Sequence, residues 1–333
     1  MDVIVVGAGV VGLAATHELS QAGHRVTVVS ADVPGARQSA GRSRIFRLAH
    51  ADGPLTQAAA ESLARWQAWE RQSQAPLLDR VGLLLTGDMS ARAIHLDRWG
   101  GLEHLSGRAH PLGVSRDDWW LERTGAAIAV EQTLRFLQRS GTLVLAEVTR
   151  VQRTAVTLAG GERLEADRVV VCAGPDTYRL LGVGEPPRMR SVRFSFALRE
   201  PPAAPAPCWI QRDDRLCEPF YAVVDGPDHY SVGLSAAGSA EIPEGRHVRD
   251  AHRRVLDIVA RALPGLHPVA ERVIACEYSV NPGPAGTEVG HDGWDLREVD
   301  GVIGLTGPAL FKFAPLLGRL VLQQLQAPPA GAR

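Results

Sequence analysis

Four consecutive apolar residues, Val3-Ile4-Val5-Val6, run straight into Gly7-Ala8-Gly9-Val10-Val11-Gly12, and no other stretch constrains the fold as tightly. A continuous apolar run marks a strand buried on both faces. A helix is expected over residues 11–21, stopped by Gly23, with a second strand over residues 25–29. Gly-x-Gly-x-x-Gly inside a βαβ unit of ~30 residues predicts a dinucleotide site. Gly7 permits the tight turn, Gly9 lets backbone approach a pyrophosphate, and Gly12 lets helix and strand pack closely. The helix then offers its N–H groups and positive dipole end to the phosphates. Where such strands usually end in an acid that holds the ribose, this chain has Ser30, with Asp32 two residues on. Either Asp32 turns inward or Ser30 makes a weaker hydrogen bond. Arg25 precedes the strand, which disfavours a 2′-phosphate.

The rest of the chain reads as α/β. Helices are expected over residues 54–73, 129–139, 248–262 and 309–325, and strands near 81–86, 142–149, 151–159, 167–172, 220–225, 229–235, 270–279 and 301–305. Residues 201–207, with four prolines, must connect elements. At 333 residues the chain exceeds one ordinary core. A Rossmann-like nucleotide domain is expected from residues 1–80, 143–185 and 270–330, with an inserted α+β substrate domain on an antiparallel sheet from residues 81–142 and 186–269. A net charge of −1 gives no reason to expect nucleic acid or an anionic membrane. No apolar run reaches the ~18–20 residues of a bilayer span, and no cleavable leader precedes the first strand, so the cytoplasm is the expected compartment. Cys172, Cys208, Cys217 and Cys276 lack metal-ligand spacing, so no metal site is expected.

Of the 36 basic residues all but one are arginine; the exception is Lys312, within Leu310-Phe311-Lys312-Phe313. A solvated charge is served by either residue, whereas a charge held against a ligand is not. Codon bias alone could also leave a solitary lysine.

Five segments in order over residues 1–325 together resemble the monomeric sarcosine oxidase and N-methyltryptophan oxidase family, within the D-amino-acid oxidase/glycine oxidase superfamily. They are the glycine fingerprint, Gly41-Arg42-Ser43-Arg44-Ile45-Phe46-Arg47, Val169 to Pro175, Ala275-Cys276-Glu277-Tyr278-Ser279, and Gly304 to Phe313. The resemblance implies FAD rather than NAD, with Ser43, Arg44, Gly174, Gly307, Leu310 and Phe311 beside the cofactor and Cys276 as its covalent anchor. It further implies that Arg47 and Lys312 clamp a substrate carboxylate, with Arg44 in the catalytic set and Tyr278, Tyr221 and Ser235 lining the cavity. A start of the closing helix near Ala309 would aim its dipole at the flavin. The implied activity is oxidation of the C–N bond of a small carboxylate-bearing amine, secondary or cyclic, to an imine, by a monomer or weak oligomer. Oxygen is one acceptor.

Departures from that family leave alternatives open. The lysine that promotes reaction with oxygen is matched by Ser231, and family histidines are matched by Ala40, Ser235 and Ala309. Loss of the three histidines points to a roomier or differently shaped cavity. The departures also admit a dehydrogenase or desaturase with another electron acceptor, or an FAD-binding protein without turnover.

Overall fold

The computed structural model describes residues 1–280 and 292–327. Its chain forms two compact units: residues 1–40, 132–188 and 277–333, and residues 41–131 and 189–276.

In the first unit, Asp2–Val6 lies at the middle of a six-stranded sheet. Thr142–Leu145, Arg25–Ser30, Asp2–Val6, Arg168–Val171 and Val302–Thr306 run parallel in that order, and Asp295–Val299 closes the edge antiparallel to the last. Val3 through Val6 and Val169 through Val171 are all buried, as two-sided burial of a parallel sheet requires. The strand order reverses between Asp2–Val6 and Arg168–Val171, so a crevice opens beyond the carboxyl ends of those two strands. The helix Val10–Gln21 packs on the closing helix Ala314–Gln326. A Cβ on Gly318 would stand 2.5 Å from the Ala14 carbonyl oxygen, which shows how closely the two backbones approach. A three-stranded meander of Val148–Gln152, Ala155–Leu158 and Arg163–Glu165 completes the unit.

The second unit is built on a nine-stranded sheet. Its main path is antiparallel except where Cys208–Gln211 pairs in parallel with Leu83–Thr86. Val255, Ile258, Val259 and Ala262 of the helix Glu244–Ala262 pack with Trp119, Trp209, Phe220 and Tyr230 in its core. Aromatic side chains of this size dominate the burial energy of such a core. A smaller sheet joins Ser43–Phe46, Ala126–Ala129 and Leu78–Asp79. The helix Gly53–Ser73 is capped by Asp52, whose Oδ1 accepts from Leu55 N at 2.9 Å. Such a cap is worth ~1 kcal/mol.

Several boundaries differ from the sequence expectation. Residues 41–80 fall in the second unit, because Ser43–Phe46 pairs with Ala126–Ala129, and so do residues 270–276 with Cys276, because Leu266–Ser279 pairs with Arg188–Leu198. Residues 132–142 fall in the first, because Thr142–Leu145 extends the parallel sheet beside Arg25–Ser30. The long strand Arg188–Leu198 was not anticipated. The closing helix starts at Ala314, not near Ala309: Ala309 is left-handed at φ 52°, and Leu310–Phe313 is a 3-10 turn. A helix dipole issuing from Ala309 is therefore withdrawn. Residues 281–291 and 328–330, expected in the nucleotide domain, lie outside the described residues. Among the described residues no helix is long and apolar enough to cross a membrane.

Candidate active site

The crevice of the first unit is lined by backbone. Gly7 has φ +106°, and a Cβ there would lie 2.4 Å from the Cys172 carbonyl oxygen. A Cβ on Gly12 would lie 1.9 Å from the Gly7 oxygen, so the helix can start against the turn only with glycine at that position. Gly9 differs: its nearest neighbour would be Ser39 Oγ at 3.4 Å, leaving a space beside it that a side chain would fill. The helix beginning at Val10 has no side-chain cap and no acidic residue in its first turn, and Ser39 Oγ takes only the Val10 N–H, at 2.9 Å. Its dipole is left uncompensated toward the crevice.

The same crevice gathers residues from three further segments. Thr306 Oγ1 donates to the Gly174 carbonyl at 2.8 Å, and Gln38 Nε2 donates to the Gly307 carbonyl at 3.2 Å. Gly174 (φ +61°) and Gly307 (φ +155°) both take backbone conformations that favour glycine. Leu310 and Phe311 are buried just beyond. Gln38 and Ser39 are functional candidates that the sequence reading missed. They follow the second strand at no motif spacing, and only the fold returns them to the glycine turn. Ser30 Oγ donates to the Asp32 carbonyl at 2.8 Å, while the Asp32 carboxylate pairs with Arg37 at 2.5 Å. Of the two ribose readings, an inward Asp32 must therefore compete with Arg37.

Lys312 follows this crevice on the 3-10 turn and is 4% exposed. Its Nζ lies 2.7 Å from Asp292 Oδ1, 3.2 Å from the Ala309 carbonyl oxygen and 4.8 Å from the Phe313 ring centre. The sequence reading did not anticipate Asp292, which offsets much of the ammonium's field. Tyr278 is half-buried in this same unit.

In the second unit, Arg47 is 8% exposed and donates from Nη1 to the Ala49 carbonyl at 2.5 Å. Glu122, fully buried, accepts from Leu48 N at 2.6 Å, Ala49 N at 3.0 Å and Thr124 Oγ1 at 2.9 Å. Burial pushes the Glu122 carboxyl up, and those donors with Arg47 pull it back. Ser43, expected at the cofactor, donates to Asp225 Oδ1 at 3.1 Å. Asp225, 2% exposed, also accepts from Ser195 Oγ at 2.6 Å and Arg272 Nη2 at 3.1 Å. Arg44 donates from Nη1 to the Ser43 carbonyl at 2.8 Å. Asp225 thus anchors the start of the strand Ser43–Phe46 and Glu122 the residues just after Arg47, two buried carboxylates from distant segments and neither legible in a motif.

Tyr221 lays its ring on Gly233, where a Cβ would lie 2.4 Å from the ring carbon bearing the hydroxyl. Ser235 is exposed just past the strand His229–Leu234. Ser231 is buried within that strand, and its Oγ has no hydrogen-bond partner among the described residues. Cys276 is half-buried; burial pushes its thiol up and the Arg193 guanidinium pulls it down. Arg193 Nη2 and Ile274 Cδ1 would stand 2.1 and 2.6 Å from a Cβ on Gly41, and Ile274 shares a strand face with Cys276. Cys172 and Cys208 are buried, with thiols pushed up to about 12, and act as packing groups.

A helix start with only its first N–H taken by a side chain, an open space at Gly9 and two further glycine bends at one sheet end suit a dinucleotide's pyrophosphate and ring edge. The chain matches the DAO family, FAD dependent oxidoreductase, over residues 2–324, and it belongs to that family. FAD is accordingly its cofactor class, and the glycine cradle fits it. Among individual proteins, the chain is similar to N-methyl-L-tryptophan oxidase of Salmonella arizonae, at 24% identity over 96% of this chain and 93% of that protein. It is also similar to the bifunctional protein MnmC of tRNA 5-methylaminomethyl-2-thiouridine biosynthesis from Burkholderia pseudomallei, at 27% identity over 95% of this chain. This chain spans only about half, 50%, of that relative. By structure it is similar to NikD, an unusual amino acid oxidase essential for nikkomycin biosynthesis, with a TM-score of 0.84 and 23% identity over 100% of this chain and 95% of that one. Glycine oxidase from Geobacillus kaustophilus follows at a TM-score of 0.74 and 17% identity, over 98% and 94% of the two chains. These structural likenesses establish a shared fold.

Proposed function

We propose that this protein is a cytoplasmic, FAD-dependent amine or amino-acid oxidase. Its substrate is a small amine that carries a carboxylate, secondary or cyclic, and its product is the imine. The observation that carries this reading is Lys312. The chain's one lysine is almost wholly buried on the turn that follows the strand ending at the glycine crevice. A buried cation is costly unless something anionic answers it. Asp292 supplies part of that answer and an anionic substrate the rest. Arg47 offers the planar fork that grips a carboxylate through two parallel bonds. Bound FAD supplies the acceptor for the hydride leaving the carbon next to nitrogen. The residues hold the substrate in one orientation, which is how positioning lowers a barrier. A relative named for oxidation of N-methyl-L-tryptophan, a secondary amine with a carboxylate, supports this substrate class.

Covalent attachment of the flavin through Cys276 belongs to the same proposal. It is supported by the match of Ala275 to Ser279, while burial holds the free thiol up against the pull of the Arg193 guanidinium. Electron transfer to an acceptor other than oxygen is the second reading, favoured by a buried hydroxyl at Ser231 where the resembling family has a lysine. The test uses Lys312→Met and wild-type protein with a panel of secondary and cyclic amino acids. The reading expects weaker substrate binding and slower flavin reduction in the variant; unchanged kinetics would remove Lys312 from the site. Stoichiometric hydrogen peroxide separates an oxidase from a dehydrogenase.

A further inference from the structure

Glu122 is the least expected charge in the second unit. It ends the strand Trp119–Glu122, is 1% exposed, and feels the positive charge of Arg47. A carboxylate taken wholly out of water is costly unless its lone pairs are used. Here they are: Oε1 accepts from Leu48 N at 2.6 Å and Thr124 Oγ1 at 2.9 Å, and Oε2 accepts from Ala49 N at 3.0 Å. Both backbone donors lie immediately after Arg47, and Ala49 is engaged twice. Its N–H points to Glu122, and its carbonyl takes Nη1 of Arg47 at 2.5 Å. The guanidinium is therefore oriented by a residue that Glu122 itself holds. A glutamine could not replace this arrangement, because its side chain offers one acceptor oxygen where two backbone donors and a hydroxyl converge on two.

We propose that Glu122 is the positioning residue of Arg47: through the Ala49 peptide it sets the plane of the guanidinium that receives the substrate carboxylate. The inference rests on the reading of Arg47 as a carboxylate site. It also accounts for the shape of the segment, in which an arginine is followed by two residues whose N–H groups turn away from any strand partner toward one buried acid.

The experiment titrates purified holoprotein with benzoate, a carboxylate with no amine to oxidise, and reads binding from the flavin's visible spectrum. Four proteins are compared: wild type, Arg47→Met, Glu122→Gln and the double variant. Glu122→Gln is expected to raise the dissociation constant roughly 10- to 100-fold, the range for hydrogen bonds involving charge, and to add nothing in the Arg47→Met background. Equal weakening in both backgrounds, or unchanged affinity in Glu122→Gln, overturns the proposal while leaving Arg47 in place. Unchanged affinity in Arg47→Met overturns the carboxylate reading itself. Should Glu122→Gln not accumulate as folded holoprotein, Thr124→Val takes its place in the cycle. It removes one bond to Oε1 and is expected to weaken binding roughly threefold to tenfold, again only where Arg47 is present. No weakening there would refute the proposal.

Discussion

A methyl group added at Gly9 and one added at Gly12 should damage the protein in two different ways. At Gly12 the new carbon would stand 1.9 Å from the Gly7 carbonyl oxygen, against an ordinary carbon–oxygen contact of about 3.3 Å. The helix Val10–Gln21 would have to lift by over ~1 Å from the turn beneath it. Overpacking of a rigid backbone contact costs ~3 kcal/mol, a large part of the 5–15 kcal/mol that roughly bounds native stability. At Gly9 the backbone is extended, at φ −73° and ψ 173°, and the nearest atom would be Ser39 Oγ at 3.4 Å. The apoprotein should therefore tolerate alanine there, within about 0.5 kcal/mol. If the pyrophosphate uses that space, the same methyl costs FAD about 1–3 kcal/mol, a roughly 5- to 150-fold weaker Kd. Both variants belong in a Cys276→Ala background, so that a covalent bond cannot mask the binding constant. Urea unfolding of apoprotein and fluorescence titration with FAD give the two readouts. Unchanged FAD affinity in Gly9→Ala, or an unfolding midpoint in Gly12→Ala equal to the parent's, would refute the reading of the crevice.

Three further outcomes are expected. Burial pushes the His110 imidazole down from 6.5 to about 4, with Nε2 directed at the Pro207 carbonyl. The folded state thus refuses a proton that the unfolded chain accepts. Stability present above pH 6.5 should fall by about 3 kcal/mol as pH drops toward 4; urea unfolding that is flat across that interval, or equally steep in His110→Gln, contradicts this. Asp225→Asn should lower the stability of the second unit by about 1–3 kcal/mol, since Arg272 and two hydroxyls lose a buried carboxylate; an unchanged unfolding midpoint would show that the cluster anchors nothing. Trichloroacetic acid should leave flavin in the pellet of wild type and release it from Cys276→Ala. Release from wild type contradicts the covalent anchor.

Local pattern carried the nucleotide half of the fold. Val3 to Val6, the glycine spacing and Val169 to Val171 each encode burial and turn geometry within a few residues, and each stands where expected. What sequence could not reach is long-range pairing. Ser43–Phe46 looks continuous with the nucleotide segment, but its partner strand begins at Ala126. Glu122 and Asp225 carry no local signal, because their meaning comes from donors far away in the chain. The closing helix was extended to Ala309 by apolar periodicity, which does not register a left-handed residue. At the candidate site, Lys312 stands out in sequence as the one lysine and Arg47 through the family resemblance, and both are buried. Asp292 beside Lys312, and Glu122 behind the Arg47 segment, carry no local signal.

The central claim is the proposal that the amine being oxidised is recognised through its carboxylate. Its most direct test mixes the holoprotein anaerobically with matched pairs of secondary or cyclic amines, with and without a carboxylate, and follows bleaching of the oxidised flavin band. The account predicts rapid bleaching by at least one carboxylate-bearing amine and at least ~100-fold slower bleaching by its decarboxylated match. Equal bleaching by both members of every reactive pair, or by no amine at all, would contradict it.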